Sequence, residues 1–235
     1  MDFKEGEIIA IDKPYGMSSF GALAHIRFLC SKKQGSKVKM GHAGTLDPLA
    51  TGVLVLCTGK KTKQIEQLQA HTKEYVAGVQ LGATTASFDM EHEADATYPT
   101  EHITRELVEQ MLTRFVGEQQ QVPPSFSACM VNGKRAYQLS RKGKEVELQP
   151  KTIQIDEIEL LDFDSQTKQA HIRVVCGKGT YIRALARDIG SALGSGAYLT
   201  SLRRTRVGDI RVEECHDFDS FAEWLDQQQL ANSHQ

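Results

Sequence analysis

The segment GHAGTLDPLATG, at positions 41–52, leads directly into the apolar run VLVL at positions 53–56. That run is typical of a buried strand, and the segment before it concentrates glycines, an imidazole and a carboxylate in a short loop. Taken alone, Asp47 before Pro48 would indicate an Asx turn. However, a carboxylate held on a stiffened backbone at the mouth of a buried strand is also what covalent or electrostatic catalysis requires. The rest of the chain has to decide between the two interpretations.

The composition is that of an ordinary globular protein. A chain of 235 residues is long enough for a full hydrophobic core. No apolar run approaches the roughly 20 residues of a membrane helix, and the N-terminus has no signal-peptide pattern. The five cysteines form no CxxC pair, which favours reduced thiols over a disulfide framework or a structural zinc site. We therefore predict a cytoplasmic protein without a membrane partner.

The net charge of −2 conceals an uneven distribution of charge. Residues 89–101 and 213–229 are acidic, and the remainder of the chain is basic. The cations fall into three clusters, which are Arg27, Lys32, Lys33, Lys37 and Lys39; Lys134, Arg135, Arg141, Lys142, Lys144 and Lys151; and Arg203, Arg204, Arg206 and Arg211. Each cluster by itself would be a solvated face. Three of them beside the conspicuous motifs favour a polyanion, and nucleic acid is the natural candidate.

Hydrophobic periodicity predicts a mixture of strands and helices without internal repeats. Strands are predicted over 7–12, 53–57, 72–81, 153–161 and 170–176. Helices are predicted after a cap at Ser18 or Ser19, after Thr104, over 180–193 and over 217–230. The first helix is expected to bury Phe20, Leu23, Ile26 and Cys30, and residues 32–40 are expected to form a mobile loop. Because the strands outnumber those of a βαβ alternation, we predict an α+β fold with a mixed, largely antiparallel sheet.

Six further motifs occur in a fixed order along the chain. They are IDKPYGMSS at 11–19, KEY at 73–75, QVPPSFSA at 121–128, GKRAY at 133–137, KGTYIR at 178–183 and LRRT at 202–205. Together with the Asp47 loop, they resemble the signature blocks of the TruB-type tRNA pseudouridine synthases. The resemblance implies a single pseudouridine-synthase catalytic domain, with helices and RNA-binding loops around its sheet.

The activity implied by the resemblance is the isomerisation of uridine 55 in the T-loop of tRNA. The N1–C1′ bond breaks, the uracil turns, and C5 joins C1′, without a redox change, a metal or a cofactor. Cleavage of a glycosyl bond develops an oxocarbenium-like centre, which a nearby carboxylate can trap or stabilise. The expected partner is the T-arm of tRNA, bound by a monomer that flips the target nucleotide.

For the catalytic groups, the resemblance implies that Asp47 is the nucleophile and that Arg183 is its ion-pair partner, which keeps the carboxylate charged. The residues leave open whether Asp47 attacks C1′, adds to C6 of the base or abstracts a ribose proton. Tyr75 would stack on the extruded uracil. It is also a candidate general base, although a phenol with a pKa of about 10 is a poor base at neutral pH.

The resemblance also implies the remaining contacts with the RNA. Tyr181 would pack beside the flipped base, and Leu202, otherwise an ordinary core leucine, would form the apolar wall opposite. His42 would enter the tRNA loop and fill the space that the flipped nucleotide vacates. Lys13 and Pro14 would shape and support the site. Phosphate contacts would come from Lys134, Arg135, Arg203 and Arg204.

The chain departs from the family pattern in three places. Met130 stands where the family commonly has Lys, and Ala86 stands where it usually has Asp, although Asp89 of the same run remains. Many relatives also append an RNA-binding PUA domain. Here we expect a catalytic domain over 1–212 with a basic RNA-binding insertion at about 122–150. An acidic helix and polar tail over 213–235 would take the place of the PUA domain.

Two alternatives differ from a stand-alone enzyme. One is a guide-RNA-dependent pseudouridine synthase, although such relatives normally carry the PUA domain. The other is a tRNA-folding chaperone that binds and opens the elbow, which the intact Asp47, Tyr75 and Arg183 disfavour.

Overall fold

The computed structural model describes residues 1–127, 129–131, 134–140 and 148–230, and it leaves out the side chains at positions 130, 131, 134, 135 and 137. The strands are β1 (Ile8–Lys13), β2 (Met40–His42), β3 (Ala50–Thr58), β4 (Lys73–Leu81), β5 (Ala83–Thr85), β6 (Ala94–Thr97), β7 (Gly117–Gln121), β8 (Met130–Val131), β9 (Lys134–Arg135), β10 (Lys151–Asp164), β11 (Gln169–Cys176), β12 (Ala197–Val207), β13 (Ile210–Arg211) and β14 (His216–Asp217). The helices are α1 (Ser19–Gln34), α2 (Ile65–Gln69), α3 (Arg105–Leu112), α4 (Ala136–Ser140), α5 (Ile182–Ala192) and α6 (Phe221–Asp226).

The chain divides into two compact units, residues 1–73 with 203–235 (unit 1) and residues 74–202 (unit 2). In unit 1, β1 pairs with β3 in antiparallel register and with β14 in parallel register, and β2 adds to the other edge of β3. Helices α1 and α6, together with Phe3, Val38 and Phe218 from outside the helices, supply the remainder of the main core of this unit. The residues of that core include Ile9, Ile11, Leu54, Leu56, Ala22, Leu23, Ile26, Cys30, Phe218, Phe221 and Leu225.

Helix α1 begins and ends at clear signals. The Ser18 hydroxyl caps it by accepting a hydrogen bond from the Gly21 amide at 3.0 Å, and Gly35 ends it in the left-handed region, with φ of 68°. The predicted burial of Phe20 is wrong, since this side chain is 66% exposed. Ser19 takes its place on the buried stripe, which continues along α1 at helical spacing. The helix also runs on to Gln34, into the segment predicted as loop.

In unit 2, the strands follow the order β4-β11-β10-β7. Strand β10 pairs antiparallel with both β11 and β7, and β5 forms an antiparallel hairpin with β6. The helix predicted after Thr104 is confirmed, because α3 starts there with the Thr104 hydroxyl accepting from the Leu107 amide. The helix predicted over 180–193 is confirmed as α5. The antiparallel pairings, together with flanking helices, confirm the predicted α+β fold class.

Two segments differ from expectation. Within the predicted insertion at about 122–150, Pro123, Pro124, Ser127 and Ala136 are buried, and the short elements β8, β9 and α4 occur here, while residues 128, 132, 133 and 141–147 lie outside the described residues. The C-terminal helix is shorter than predicted, with α6 covering Phe221–Asp226. The expected domain boundary at residue 212 stays a prediction. Among the described residues, the helices are all too short or too polar to cross a membrane.

Candidate active-site loop

The predicted catalytic loop is residues 43–49, between β2 and β3 of unit 1. It opens with the Ala43 amide donating to the Val55 carbonyl at 2.9 Å, and it closes with the Ala50 amide donating to the Asp47 carbonyl at 3.0 Å. The Asp47 side chain is half-buried. The loop is therefore a compact turn that presents one carboxyl group beside the start of a buried strand.

Lys13, at the end of β1, is completely buried next to this loop. Its ammonium group donates to the carbonyl oxygens of Pro14 at 2.8 Å, Met17 at 2.6 Å and Pro48 at 3.4 Å. Burial lowers the pKa of Lys13 to about 8, the charge of Asp47 opposes that shift, and the nearby Arg204 guanidinium adds to it. These contacts agree with the expectation that Lys13 supports the site.

Arg204 supports the loop from β12. This side chain is 1% exposed, and its guanidinium donates to three backbone carbonyl oxygens of unit 1. The acceptors are Val53 at 2.8 Å, Gly44 at 3.0 Å and Thr45 at 3.4 Å. Because its donors point into the protein at the loop, these contacts favour a structural role for Arg204 over the predicted phosphate contact.

Arg203, its neighbour on β12, has a different environment. Its guanidinium forms a two-point ion pair with the Asp12 carboxylate, at 2.6 and 3.0 Å, and also donates to the Thr51 hydroxyl at 3.2 Å. Successive side chains on a strand point to opposite faces, so adjacent arginines reach different partners. Arg203 is partly exposed, and its contact with an RNA phosphate stays a prediction.

The glycine that ends the loop motif is required by this packing. Gly52 has φ of 105°, and a Cβ atom there would lie 2.1 Å from the Arg204 carbonyl oxygen. The backbones of β3 and β12 approach so closely at this point that a side chain would be excluded.

Arg183 lies on the first turn of α5 in unit 2 and is buried. Its guanidinium donates to the carbonyl oxygens of Ser87 at 3.0 Å and Phe126 at 2.9 Å, and its Nε lies 3.9 Å from an Asp89 carboxylate oxygen. The other Asp89 oxygen accepts from the Ser87 hydroxyl at 2.6 Å and the Glu91 amide at 3.0 Å. Within its unit, the guanidinium is thus held in one orientation. Its ion pair with Asp47 stays a prediction.

Tyr181 is the residue from which α5 starts, and Gln121 fixes its backbone from both sides. The Gln121 side-chain amide accepts from the Tyr181 amide at 2.9 Å and donates to the Tyr181 carbonyl at 3.1 Å. Burial raises the pKa of the Tyr181 phenol, and a hydrogen bond from the Ser127 side chain works against that shift. The phenol is therefore neutral at physiological pH, which suits packing against an uncharged base.

The remaining predicted residues occupy separate elements. Tyr75 is buried on β4, Leu202 is half-buried on β12, and His42 is half-buried at the end of β2, opposite Leu56. Lys134 and Arg135 lie on β9, and their side chains are outside the described residues. The structure therefore brings Lys13 and Arg204 to the Asp47 loop, and it brings Gln121 to Tyr181.

Comparison with known proteins identifies the family. The model of the TruB family pseudouridylate synthase N-terminal domain matches residues 32–182, which is more than half of the chain. The chain belongs to the TruB family of pseudouridylate synthases. The family's C-terminal domain model, for tRNA pseudouridylate synthase B, matches residues 183–234. The Asp47 loop and Tyr75 thus lie in the N-terminal family domain, and Arg183 is the first residue of the C-terminal one.

Individual relatives in the TruB family are similar over almost their whole length. The tRNA pseudouridine synthase B of Bacteroides fragilis is 64% identical over 98% of both chains. Its counterpart from Bacteroides thetaiotaomicron is 63% identical over 99% of this chain and 98% of the relative. Among solved structures, a chain of a Cbf5-Nop10-Gar1 complex is 28% identical with a TM-score of 0.69, and the match covers 95% of this chain and 55% of that one.

The sequence motifs did not predict the supporting roles of three residues. Gln121 and Arg204 occur inside recognised blocks but carried no role or a different one, and Asp89 was noted only as the remainder of an altered run. Their contacts join residues far apart in the chain, as in the 160 positions between Gly44 and Arg204. The available signal was their residue type, because buried Gln, Arg and Asp side chains require partners.

Proposed function

We propose that this protein isomerises uridine 55 to pseudouridine in the T-loop of tRNA, with Asp47 as the nucleophile. The observation that carries the proposal is the Asp47 loop, whose single carboxyl group is presented by a backbone held from outside by Lys13 and Arg204. The near-full-length similarity to synthases that are named for tRNA supports the substrate class.

The chemistry needs little more than a fixed carboxylate and a flipped base. Breaking the N1–C1′ bond leaves an electron-poor ribose carbon and a uracil that turns until C5 faces it. The C5–C1′ bond then forms, C5 loses its proton and N1 gains one, so the atoms balance without a redox partner. Asp47 stabilises or traps the electron-poor centre, and Arg183 keeps it ionised. Tyr75, Tyr181 and Leu202 hold the base, and His42 fills the vacated space in the RNA.

The test follows release of tritium from C5 of uracil in an unmodified tRNA transcript. The native protein alone is expected to release one label per tRNA, and Asp47→Asn is expected to release none while still binding. A transcript with cytidine at position 55 and labelled uridines elsewhere is the substrate control. Release from Asp47→Asn at the native rate would contradict the assignment of the nucleophile, and release from the control transcript would contradict the assignment of position 55.

A second candidate is guide-RNA-dependent modification, since the chain is similar in structure to a chain of a Cbf5-Nop10-Gar1 complex and to one of an H/ACA RNP bound to a substrate RNA. The same assay distinguishes the two, because a guided enzyme releases label from tRNA only when a guide RNA is added. A chaperone without catalysis would bind tRNA tightly and release no label.

We also propose that the protein acts as a cytoplasmic monomer, with the catalytic domain over 1–212.

A further inference from the structure

Two adjacent serines at the start of α1 have different partners. Ser18 is exposed, and its hydroxyl accepts from the Gly21 amide, as a helix cap does. Ser19 is 2% exposed, and its side chain points away from its own helix turn towards the catalytic loop. Its hydroxyl donates to the Leu46 carbonyl at 2.9 Å and accepts from the Leu46 amide at 2.8 Å. One hydroxyl thus satisfies both backbone groups of a residue 27 positions away.

Leu46 is the residue immediately before Asp47. Its side chain is also buried, so both its backbone and its side chain are fixed. Leaving a buried amide or carbonyl without a hydrogen-bond partner destabilises the folded protein. The peptide plane that leads into Asp47 therefore cannot rotate without breaking the Ser19 contacts.

The other neighbours of Asp47 are anchored by different elements. The Pro48 carbonyl accepts from the Gly16 amide at 2.8 Å and from Lys13, and the proline ring fixes φ at this position. Arg204 holds the carbonyls of Gly44 and Thr45. Ser19 thus supplies the anchor at the position directly preceding the carboxyl-bearing residue.

We propose that Ser19 is a positioning residue for Asp47. It acts through Leu46 and does not itself touch the substrate. The inference rests on the proposed role of Asp47 as the nucleophile. A nucleophile displaced by about 1 Å loses about 10²-fold in rate, whereas binding of a large RNA depends on contacts spread over a wide surface. Loss of the Ser19 hydroxyl should therefore affect the chemical step and leave the affinity for tRNA unchanged.

The experiment compares Ser19→Ala with Ser18→Ala, since both remove one hydroxyl from the same end of α1. The measurements are the single-turnover rate of tritium release, the Kd for tRNA and the free energy of unfolding. Ser19→Ala is expected to lose about 10²-fold in rate with the Kd unchanged within about two-fold. Ser18→Ala is expected to lose stability through its cap and to keep the native rate. Ser19→Thr, which retains the hydroxyl, is expected to restore most of the rate.

The outcomes separate this inference from the proposed function. A folded Ser19→Ala protein with the native rate, or an equal loss of rate in Ser18→Ala, would overturn the positioning role while Asp47→Asn remains inactive. An active Asp47→Asn protein would overturn the proposed function itself. If Ser19→Ala does not fold, Ser19→Cys takes its place, because a thiol is only a weak hydrogen-bond donor. A folded Ser19→Cys protein that is as active as Ser19→Thr then contradicts the proposal.

Discussion

Replacing Arg204 by Met tests how strongly the Asp47 loop depends on one buried guanidinium. The substitution keeps an unbranched apolar stem and removes the donors to the carbonyls of Val53, Gly44 and Thr45. Hydrogen bonds to charged groups contribute about 1.5–3 kcal/mol each, so the two shorter bonds together represent about 3–6 kcal/mol. Burying the guanidinium itself has a desolvation cost that the variant avoids. We therefore expect a net loss of about 2–4 kcal/mol of stability.

The assay is urea unfolding, with the free energy of unfolding extrapolated to water. Arg204→Lys is expected to recover less than half of the loss, because an ammonium cannot reach carbonyls on both sides as a planar guanidinium does. Arg206→Met is the matched control on the same strand, since this arginine is only half-buried. A loss below about 0.5 kcal/mol for Arg204→Met, the range of ordinary surface substitutions, would refute the reasoning.

Three further predictions concern Gly52 and Lys13 in unit 1 and Gln121 in unit 2. Gly52→Ala is expected to unfold unit 1 or to lose more than about 3 kcal/mol of stability, because a Cβ atom would collide with the β12 backbone at positive φ. The stability of the native protein is expected to rise relative to Lys13→Met between about pH 8 and pH 10.5, because the unfolded lysine still binds a proton that the folded one has released. Gln121→Ala is expected to lose about 2–3 kcal/mol through the two Tyr181 contacts, as measured by urea unfolding.

Two of these predictions have a matched control variant, and the pH prediction has an outcome that would contradict it. Gly16→Ala is matched to Gly52, since Gly16 also has positive φ but no atom within 4 Å of a Cβ, so it should lose much less. A stability difference between native protein and Lys13→Met that stays flat or falls over this pH range contradicts the depressed lysine pKa. Gln120→Ala removes an exposed bond to Thr152 and should change stability by less than about 0.5 kcal/mol. An equal effect at positions 120 and 121 would contradict the Tyr181 contacts.

Local patterns predicted much of the secondary structure. The strand over 72–81 and the helix after Thr104 were predicted from apolar spacing and caps, since both signals depend on residues close together in the chain. The predicted burial of Phe20 on helix α1 was wrong. An apolar residue on the edge of a helix can face solvent, while the buried position next to it holds Ser19, whose hydroxyl is satisfied by a distant loop.

The sequence by itself determined the family, the α+β class and the loop that carries Asp47. The reason is that motifs and hydrophobic periodicity depend only on residues that are close together in the chain. Only the tertiary structure decided what the polar residues of those motifs do. Ser18 and Ser19 look equivalent as caps, and Arg203 and Arg204 look equivalent as phosphate ligands. Their contacts differ because the side chains of neighbouring residues point in different directions. The Asp47 loop, many positions away in the chain, lies on the side that Ser19 and Arg204 face. Burial then forces each inward-facing donor onto a specific carbonyl, which no local pattern specifies.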